Sequence, residues 1–106
     1  MVKRGDIWLV NLDPAVSSEI RKSRPCVVVS PPELNDHLRT VIVAPMTSRG
    51  FEAPFRVIVR HGGIKGLILL DQLRTVDKAR LVNKLGAVSA KTLATALSTL
   101  QEVFAM

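Results

Sequence analysis

Residues 5–30 of this 106-residue chain read GDIWLVNLDPAVSSEIRKSRPCVVVS and contain two apolar segments on either side of a polar loop. The apolar segments, 7–12 and 26–30, are rich in Val, Ile, Leu and Trp, which predicts two short β-strands. The loop, 13–23, leads into the sequence Arg21-Lys22-Ser23-Arg24, which has three cations in four residues close to the carboxylate of Glu19. A loop that mixes these groups suits phosphodiester chemistry.

Five further segments downstream are strand candidates. They are residues 40–44, 55–60, 67–70, 72–76 and 84–88, of which 72–76 either continues the preceding strand or forms another. In the second of them, Arg56, Ile58 and Arg60 alternate with apolar residues, so one face is half basic. Residues 45–54 predict a loop from their Ser, Arg, Gly and Pro content. We expect the sheet to be mostly antiparallel.

The C-terminal segment has a helical period. Its apolar residues at helical spacing follow Ser89, a candidate N-cap, and are Leu93, Leu97, Leu100 and Phe104. Short strands followed by one helix, without βαβ alternation, predict a mainly β fold: a small barrel or strongly curved sheet with a helix on its side. We expect residues 1–106 to form one domain, whose small core a partner subunit would supplement.

The composition favours a polyanionic partner. Fifteen Lys and Arg residues against nine Asp and Glu give a net charge of +6, which suits nucleic acid or an acidic peptide. No apolar run approaches the roughly 18 residues of a membrane-spanning helix. The N-terminus lacks the pattern of a secretory signal, so we expect a cytoplasmic protein. The single cysteine, Cys26, lies in an apolar run and is expected to be buried and inert.

Several standard chemical sites have no counterpart in the sequence. It contains no Gly-rich phosphate loop, no His or Cys cluster with metal-ligand spacing and no Gly-x-Ser-x-Gly elbow. We therefore expect no metal or nucleotide cofactor. His37 and His61 stand alone in loop-like surroundings, and we interpret both as solvated residues outside the site. The remaining candidates are Glu19, Ser23, Arg24, Thr47, Ser48, Asp71, Gln72 and Arg74.

Each candidate also has an ordinary structural interpretation. Glu19 is equally typical of a solvated loop carboxylate. Thr47 and Ser48 are common turn formers. Asp71 is also placed to act as a structural acceptor paired with Arg74.

Three separated motifs, in order, resemble one known family. Arg24-Pro25 precedes a run of Val residues, Met46-Thr47-Ser48 follows the apolar residues 41–45, and residues 70–77 read LDQLRTVD. Together they resemble the MazF/PemK toxin endoribonucleases over nearly the whole chain. Ser17 stands where most of that family has Gly. Ser18 and Leu69 replace the His and Arg of the plasmid branch, so the chain resembles the chromosomal MazF type more closely.

The resemblance implies a fold, an activity and partners. The fold is an SH3-like β-barrel with a C-terminal helix, assembled as a homodimer with grooves for single-stranded RNA. The family cleaves RNA without a metal, often at short recognition sequences, and leaves 2′,3′-cyclic phosphate and 5′-hydroxyl ends. A MazE-like cognate antitoxin inhibits it, and we expect the antitoxin to occupy the RNA groove.

The resemblance also implies site residues. The matched catalytic positions are Arg24 and Thr47, with Glu19 as a further one. The implied RNA-binding positions are Arg21, Lys22, Ser23, Ser48, Arg49, Phe51, Asp71, Gln72 and Arg74. A guanidinium stabilises the charge of the phosphorane, and a hydroxyl donates to the same phosphate or positions the nucleophile. The general base stays open between Glu19, Asp71 and a group of RNA or water.

Two functions of other classes remain alternatives. CcdB-type toxins share this barrel and bind DNA gyrase without cutting RNA, and fold alone does not separate the two. Arg24 with Thr47 is expected of a ribonuclease and is unnecessary for a gyrase binder. The third interpretation is a non-catalytic binder of single-stranded RNA.

Overall fold

A computed structural model describes residues 1–14, 19 and 22–105, and these contain seven strands and two α-helices. The strands are β1 (Asp6–Asn11), β2 (Ser23–Val28), β3 (Thr40–Thr47), β4 (Arg56–His61), β5 (Ile64–Leu69), β6 (Arg74–Asp77) and β7 (Leu81–Ala87). The helices are α1 (Pro32–Asn35) and α2 (Ala90–Phe104). Single 3₁₀ turns, Leu70–Gln72 and Lys78–Arg80, flank β6.

The described strands form one sheet in the order β4-β5-β3-β2-β1-β7, and β6 also pairs with β3. Every pairing is antiparallel, as predicted. One edge of β3 pairs first with β6, at residues 40–43, and then with β5, at Met46 and Thr47. This change of partner curves the sheet into a half-barrel. The predicted fold class, a mainly β barrel-like sheet with a C-terminal helix, is confirmed.

Two apolar clusters occupy opposite faces of the sheet. Val27 belongs to one cluster and Val28 to the other, as expected because successive side chains of a strand point to opposite faces. Helix α2 covers the first cluster with the buried Ala96 and the partly buried Leu97 and Leu100. The predicted helical face is therefore correct for these residues, whereas Phe104 at the helix end is 72% exposed.

The predicted N-cap of α2 is confirmed. The Ser89 hydroxyl oxygen accepts a hydrogen bond from the backbone N–H of Thr92, at 3.1 Å. The bond satisfies one of the backbone donors that every helix leaves open in its first turn. The Ser89 hydroxyl in turn donates to the Thr92 hydroxyl oxygen, at 3.0 Å.

Several predicted boundaries are wrong. Strand β3 continues to Thr47, so the following loop begins at Ser48 and not at Pro45. Pro45 is tolerated there because it lies where β3 changes partner and the ladder on that edge is interrupted. Strand β2 begins at Ser23, three residues before the predicted start at Cys26, and β7 begins at Leu81. The short helix α1 was not predicted.

The structure decides whether residues 72–76 continue the preceding strand or form another one. The chain leaves β5 at Leu69, makes the 3₁₀ turn Leu70–Gln72, and enters β6 at Arg74. The predicted strand 72–76 is thus a separate strand, and it starts two residues later than expected. Because the turn is tight, Asp71 projects at the junction between β5 and β6.

Cys26 is buried, as predicted. Its side chain is fully enclosed in the second apolar cluster, and its thiol contacts the Arg24 carbonyl oxygen at 3.5 Å. Burial raises the pKa of the Cys26 thiol to about 12, an effect that the charge of Arg74 partly opposes. The thiolate is the reactive form, so this cysteine is chemically silent in the folded protein.

We expect Ellman's reagent to leave Cys26 unlabelled in the native protein and to label one thiol per chain after denaturation. A pKa raised from 9.0 to about 12 lowers the thiolate fraction about 1,000-fold, and burial removes access as well. Absorbance of the released thionitrobenzoate measures the labelling. Native labelling at the rate of free cysteine would contradict the buried position.

Candidate active site

Arg24 and Thr47 lie in one pocket although 22 intervening residues separate them in sequence. Arg24 is in β2, opposite Val10 of β1, and Thr47 ends β3, opposite Leu67 of β5. The pocket, which we call the Arg24–Thr47 pocket, has a volume of about 220 Å³. Its other lining residues are Pro25, Met46, Ser48, His61, Ile64, Lys65 and Gly66.

The electrostatics of this pocket favour an anion. Arg24 and Lys65 are its charged lining residues, and the described lining includes no carboxylate. The Arg24 side chain is exposed and ends in a guanidinium group. Its planar fork of donors fits two oxygens of one phosphate.

Thr47 is held by its own turn. Its hydroxyl oxygen accepts a hydrogen bond from the backbone N–H of Arg49, at 3.1 Å. The hydroxyl hydrogen is then available to donate toward the pocket. Across the ladder, a side chain at Gly66 would place its Cβ 3.0 Å from the Thr47 carbonyl oxygen. The absence of a side chain at Gly66 therefore permits the present position of Thr47.

A second pocket contains the predicted carboxylates. It has a volume of about 170 Å³, we call it the Glu19–Asp71 pocket, and it is lined by Glu19, Asp71, Gln72, Leu73 and Arg74. The two pockets share no lining residue. The predicted site residues are thus divided: Arg24, Thr47 and Ser48 line one pocket, whereas Glu19, Asp71, Gln72 and Arg74 line the other.

Asp71 is paired with Arg56 and not with Arg74. The Arg56 guanidinium donates from Nε to Oδ1 of Asp71 at 3.1 Å and from Nη2 to Oδ2 at 3.0 Å. The hydrogen bond to Asp71 raises the pKa of Arg56 above its usual value, and the charge of the carboxylate adds to the effect. Arg74 instead donates to the Leu12 carbonyl oxygen at 3.0 Å. The pairing of Asp71 with Arg74, offered as an alternative by the sequence, is therefore wrong.

Arg56 also holds the loop that carries Phe51. Its guanidinium carbon lies 4.4 Å from the centre of the Phe51 ring, and its Nη1 donates to the Phe51 carbonyl oxygen at 3.3 Å. The Phe51 side chain is nevertheless 67% exposed. Arg49, in the same loop, is also exposed. One arginine thus links the Glu19–Asp71 pocket to an exposed aromatic ring.

The remaining predicted cations are at the start of β2. Lys22 has a left-handed φ of 65°, and its backbone N–H donates to Oδ1 of Asp13 at 2.9 Å. Ser23 pairs with Asn11 of β1. Both Lys22 and Ser23 are exposed and line neither pocket. Arg21 lies outside the described residues, as do Ser17 and Ser18.

Three residues of this region were not among the predicted site residues: Arg56, His61 and Lys65. His61 was predicted to lie outside the site, but it lines the Arg24–Thr47 pocket together with Lys65. Arg56 was noted only as part of a basic strand face. The period of two in β4 indicated which face Arg56 occupies, whereas no sequence signal indicated that the β4–β5 hairpin reaches Arg24. Among the described residues, no group of three His, Cys, Asp or Glu side chains is arranged to hold a metal ion.

The fold and the pocket define a small β half-barrel with a cleft lined by basic residues, and the sequence comparison gives the family. Residues 3–104 match the PemK-like, MazF-like toxins of type II toxin-antitoxin systems. The chain belongs to this family. No helix within the described part of the chain is long and apolar enough to cross a membrane.

Individual relatives agree with the family match. Endoribonuclease MazF of Staphylococcus saprophyticus is 39% identical over 97 residues, covering 86% of this chain and 81% of that protein. Endoribonuclease PemK of Escherichia coli is 41% identical over 85 residues, covering 74% of this chain and 64% of that protein.

Solved structures agree with the fold. MazF from Deinococcus radiodurans superposes with a TM-score of 0.87 at 28% identity, covering 99% of this chain and 97% of that one. A crystal structure of MazE-MazF from the same organism superposes with a TM-score of 0.79 at 27% identity, covering 99% of this chain and 96% of the other.

We expect Gly66→Ala to displace Thr47. The new Cβ would meet the Thr47 carbonyl oxygen at 3.0 Å, so the strand must shift, at a cost of about 1–3 kcal/mol in the free energy of unfolding. Gly62→Ala is the matched control: its Cβ would meet nothing within 4 Å, but its φ of 60° costs about 1–2 kcal/mol in backbone strain. NMR amide shifts of residues 47–49 should change in Gly66→Ala only. Unchanged shifts would show that the contact does not position Thr47.

Proposed function

We propose that this chain is a cytoplasmic toxin endoribonuclease that cleaves single-stranded RNA without a metal ion, with the Arg24–Thr47 pocket as the phosphate site. The observation that carries the proposal is that Arg24 and Thr47, separated in sequence, line one cationic pocket with no described carboxylate. Such a pocket suits the negatively charged phosphate that the reaction must bind. Family membership and the endoribonuclease names of two relatives support the same activity.

The chemistry is an internal transesterification of RNA. The 2′-oxygen attacks the neighbouring phosphorus while the bond from phosphorus to the 5′-oxygen breaks, and the products are a 2′,3′-cyclic phosphate and a 5′-hydroxyl. Arg24 grips two phosphate oxygens and stabilises the charge of the phosphorane. Thr47 donates a hydrogen bond to the same phosphate. The Arg24 fork therefore supplies the positive charge that a metal provides in other nucleases.

The 2′-hydroxyl proton needs an acceptor, and the carboxylates that line the neighbouring pocket are Glu19 and Asp71. Both oxygens of Asp71 accept hydrogen bonds from Arg56, so this ion pair connects the turn after β5 to β4. Glu19 is exposed in the neighbouring pocket, with Gln72 and Arg74. We assign Glu19 the role of general base because the MazF/PemK resemblance implies a catalytic residue at this position, and we assign Asp71 a supporting role.

Around the pocket, exposed cations contact the RNA backbone and one aromatic contacts a base. Lys22 and Arg49 are exposed and placed for phosphate contacts, together with Ser23, Ser48, Gln72 and Arg74. Phe51 has one ring face against Arg56 and is 67% exposed, so the remaining surface is available for stacking on a base. Arg21 is proposed for the backbone on sequence grounds alone.

The toxin acts as a homodimer that an antitoxin inhibits. Exposed apolar side chains available for a subunit interface include Ile58, Ile64, Val82, Leu85, Val103 and Phe104. A relative from Deinococcus radiodurans has been crystallised as MazE-MazF, which supports a MazE-like partner here. An acidic antitoxin segment complements the net charge of +6. The comparisons give no support to gyrase binding, and residues 1–106 are proposed as one toxin domain.

We expect Arg24→Ala to slow RNA cleavage at least about 10³-fold, because it removes both donors to the phosphate. The assay incubates a long single-stranded RNA with the protein in EDTA and maps cuts by primer extension. Arg39→Ala, an exposed arginine outside both pockets, is the control and should cut like the wild type. Circular dichroism checks that each variant is folded. A folded Arg24→Ala protein with full activity would overturn the assignment.

We also expect the antitoxin and RNA to exclude each other, because both must cover Arg24 and Thr47. The probe is a fluorescent RNA with a 2′-deoxy sugar at the mapped cut site, which binds but lacks the attacking hydroxyl. Added antitoxin should displace it in fluorescence anisotropy and should suppress cleavage of ordinary RNA over the same concentration range. A ternary complex that still cuts RNA would rule out a shared surface.

A further inference from the structure

The described lining of the Arg24–Thr47 pocket includes one histidine and no carboxylate. That histidine is His61, and histidine is the side chain that enzymes use most often as a general acid or base. The charged residues of the described lining, Arg24 and Lys65, are basic. Cleavage needs a proton for the leaving 5′-oxygen, and neither Arg24 nor Thr47 readily gives one up.

The fold places His61 at a defined position. It is the last residue of β4 and pairs with Ile64 across the turn at Gly62 and Gly63. Its imidazole packs on β7, where a Cβ at Gly86 would lie 3.3 Å from the His61 Cε1 atom. Gly86 thus leaves the space that the ring occupies. The half-buried ring is positioned by backbone on one side and faces the pocket on the other.

We propose that His61 is the general acid of the reaction, the group that protonates the leaving 5′-oxygen. This inference rests on the proposed endoribonuclease function. As the bond from the 2′-oxygen to phosphorus forms and the bond from phosphorus to the 5′-oxygen breaks, a ring N–H of the His61 imidazolium transfers its proton to the 5′-oxygen. The 2′-hydroxyl proton goes to the general base, and His61 later regains a proton from water.

An acid at His61 is compatible with a base in the other pocket. In an in-line displacement the attacking and leaving oxygens lie on opposite sides of phosphorus, so acid and base must act from opposite sides. Glu19 lies in a pocket that shares no lining residue with the one that holds His61. Glu19, the proposed base, and His61 are therefore two separate groups in separate pockets, as the two roles require.

The test compares two leaving groups. One substrate is a short RNA containing the mapped cut site, and the other has sulfur in place of the bridging 5′-oxygen, whose thiolate leaves without a proton. We expect His61→Gln to slow the oxygen substrate about 10²–10⁴-fold and to cut the sulfur substrate at close to the wild-type rate. Arg24→Ala should cut both substrates slowly, because the phosphorane that Arg24 stabilises carries the same charge with either leaving group. His37→Gln, the other histidine and an exposed one, should resemble the wild type.

The outcomes separate this inference from the proposed function. A wild-type protein that cuts neither substrate in EDTA would overturn both. A His61→Gln protein that cuts the oxygen substrate at the wild-type rate, or that is equally slow on both substrates, would overturn the role of His61 alone. His61→Asn, which has a shorter side chain, should give the same result as His61→Gln. A melting temperature and an RNA affinity equal to those of the wild type verify that each variant retains the site.

Discussion

Along one edge of β3, hydrogen bonding passes from β6 at residues 40–43 to β5 at Met46 and Thr47. The opposite edge pairs with β2, through Val43, Ala44 and Pro45. A strand with two successive partners on one side must bend, and this bend closes the sheet around the apolar core. The end of β3 is thereby directed between β2 and the β4–β5 hairpin. Arg24, Thr47 and His61 come together because of this single change of partner.

The same geometry explains what the sequence could and could not predict. Period-two alternation identified the faces of β4, and helical spacing with Ser89 as N-cap identified α2. These features are local, because each depends on residues within a few positions. The extension of β3 to Thr47 is not local: Pro45 locally indicates a loop, and only the pairing with β5 makes it part of a strand.

The site shows the same limit. Motif resemblance correctly brought Arg24 and Thr47 together, because family members share the spacing of these motifs along the chain. It also grouped Glu19 with them, whereas the structure places Glu19 with Asp71 in a neighbouring pocket. His61 was excluded because a lone histidine in a loop-like segment carries no signal of its own. Only the register of β4 with β5 and the space above Gly86 bring its ring to the pocket.

The pairing of Asp71 with Arg56 has an electrostatic consequence for the reaction. An unpaired carboxylate near the proposed phosphate site would repel RNA and would destabilise the negatively charged transition state. Arg56 neutralises Asp71 through two hydrogen bonds, and the same guanidinium packs over Phe51. The carboxylate proposed for proton transfer is Glu19, which lines the same pocket as Asp71. The described lining of the proposed phosphate site is thus cationic, and the two groups proposed for proton transfer, Glu19 and His61, line separate pockets.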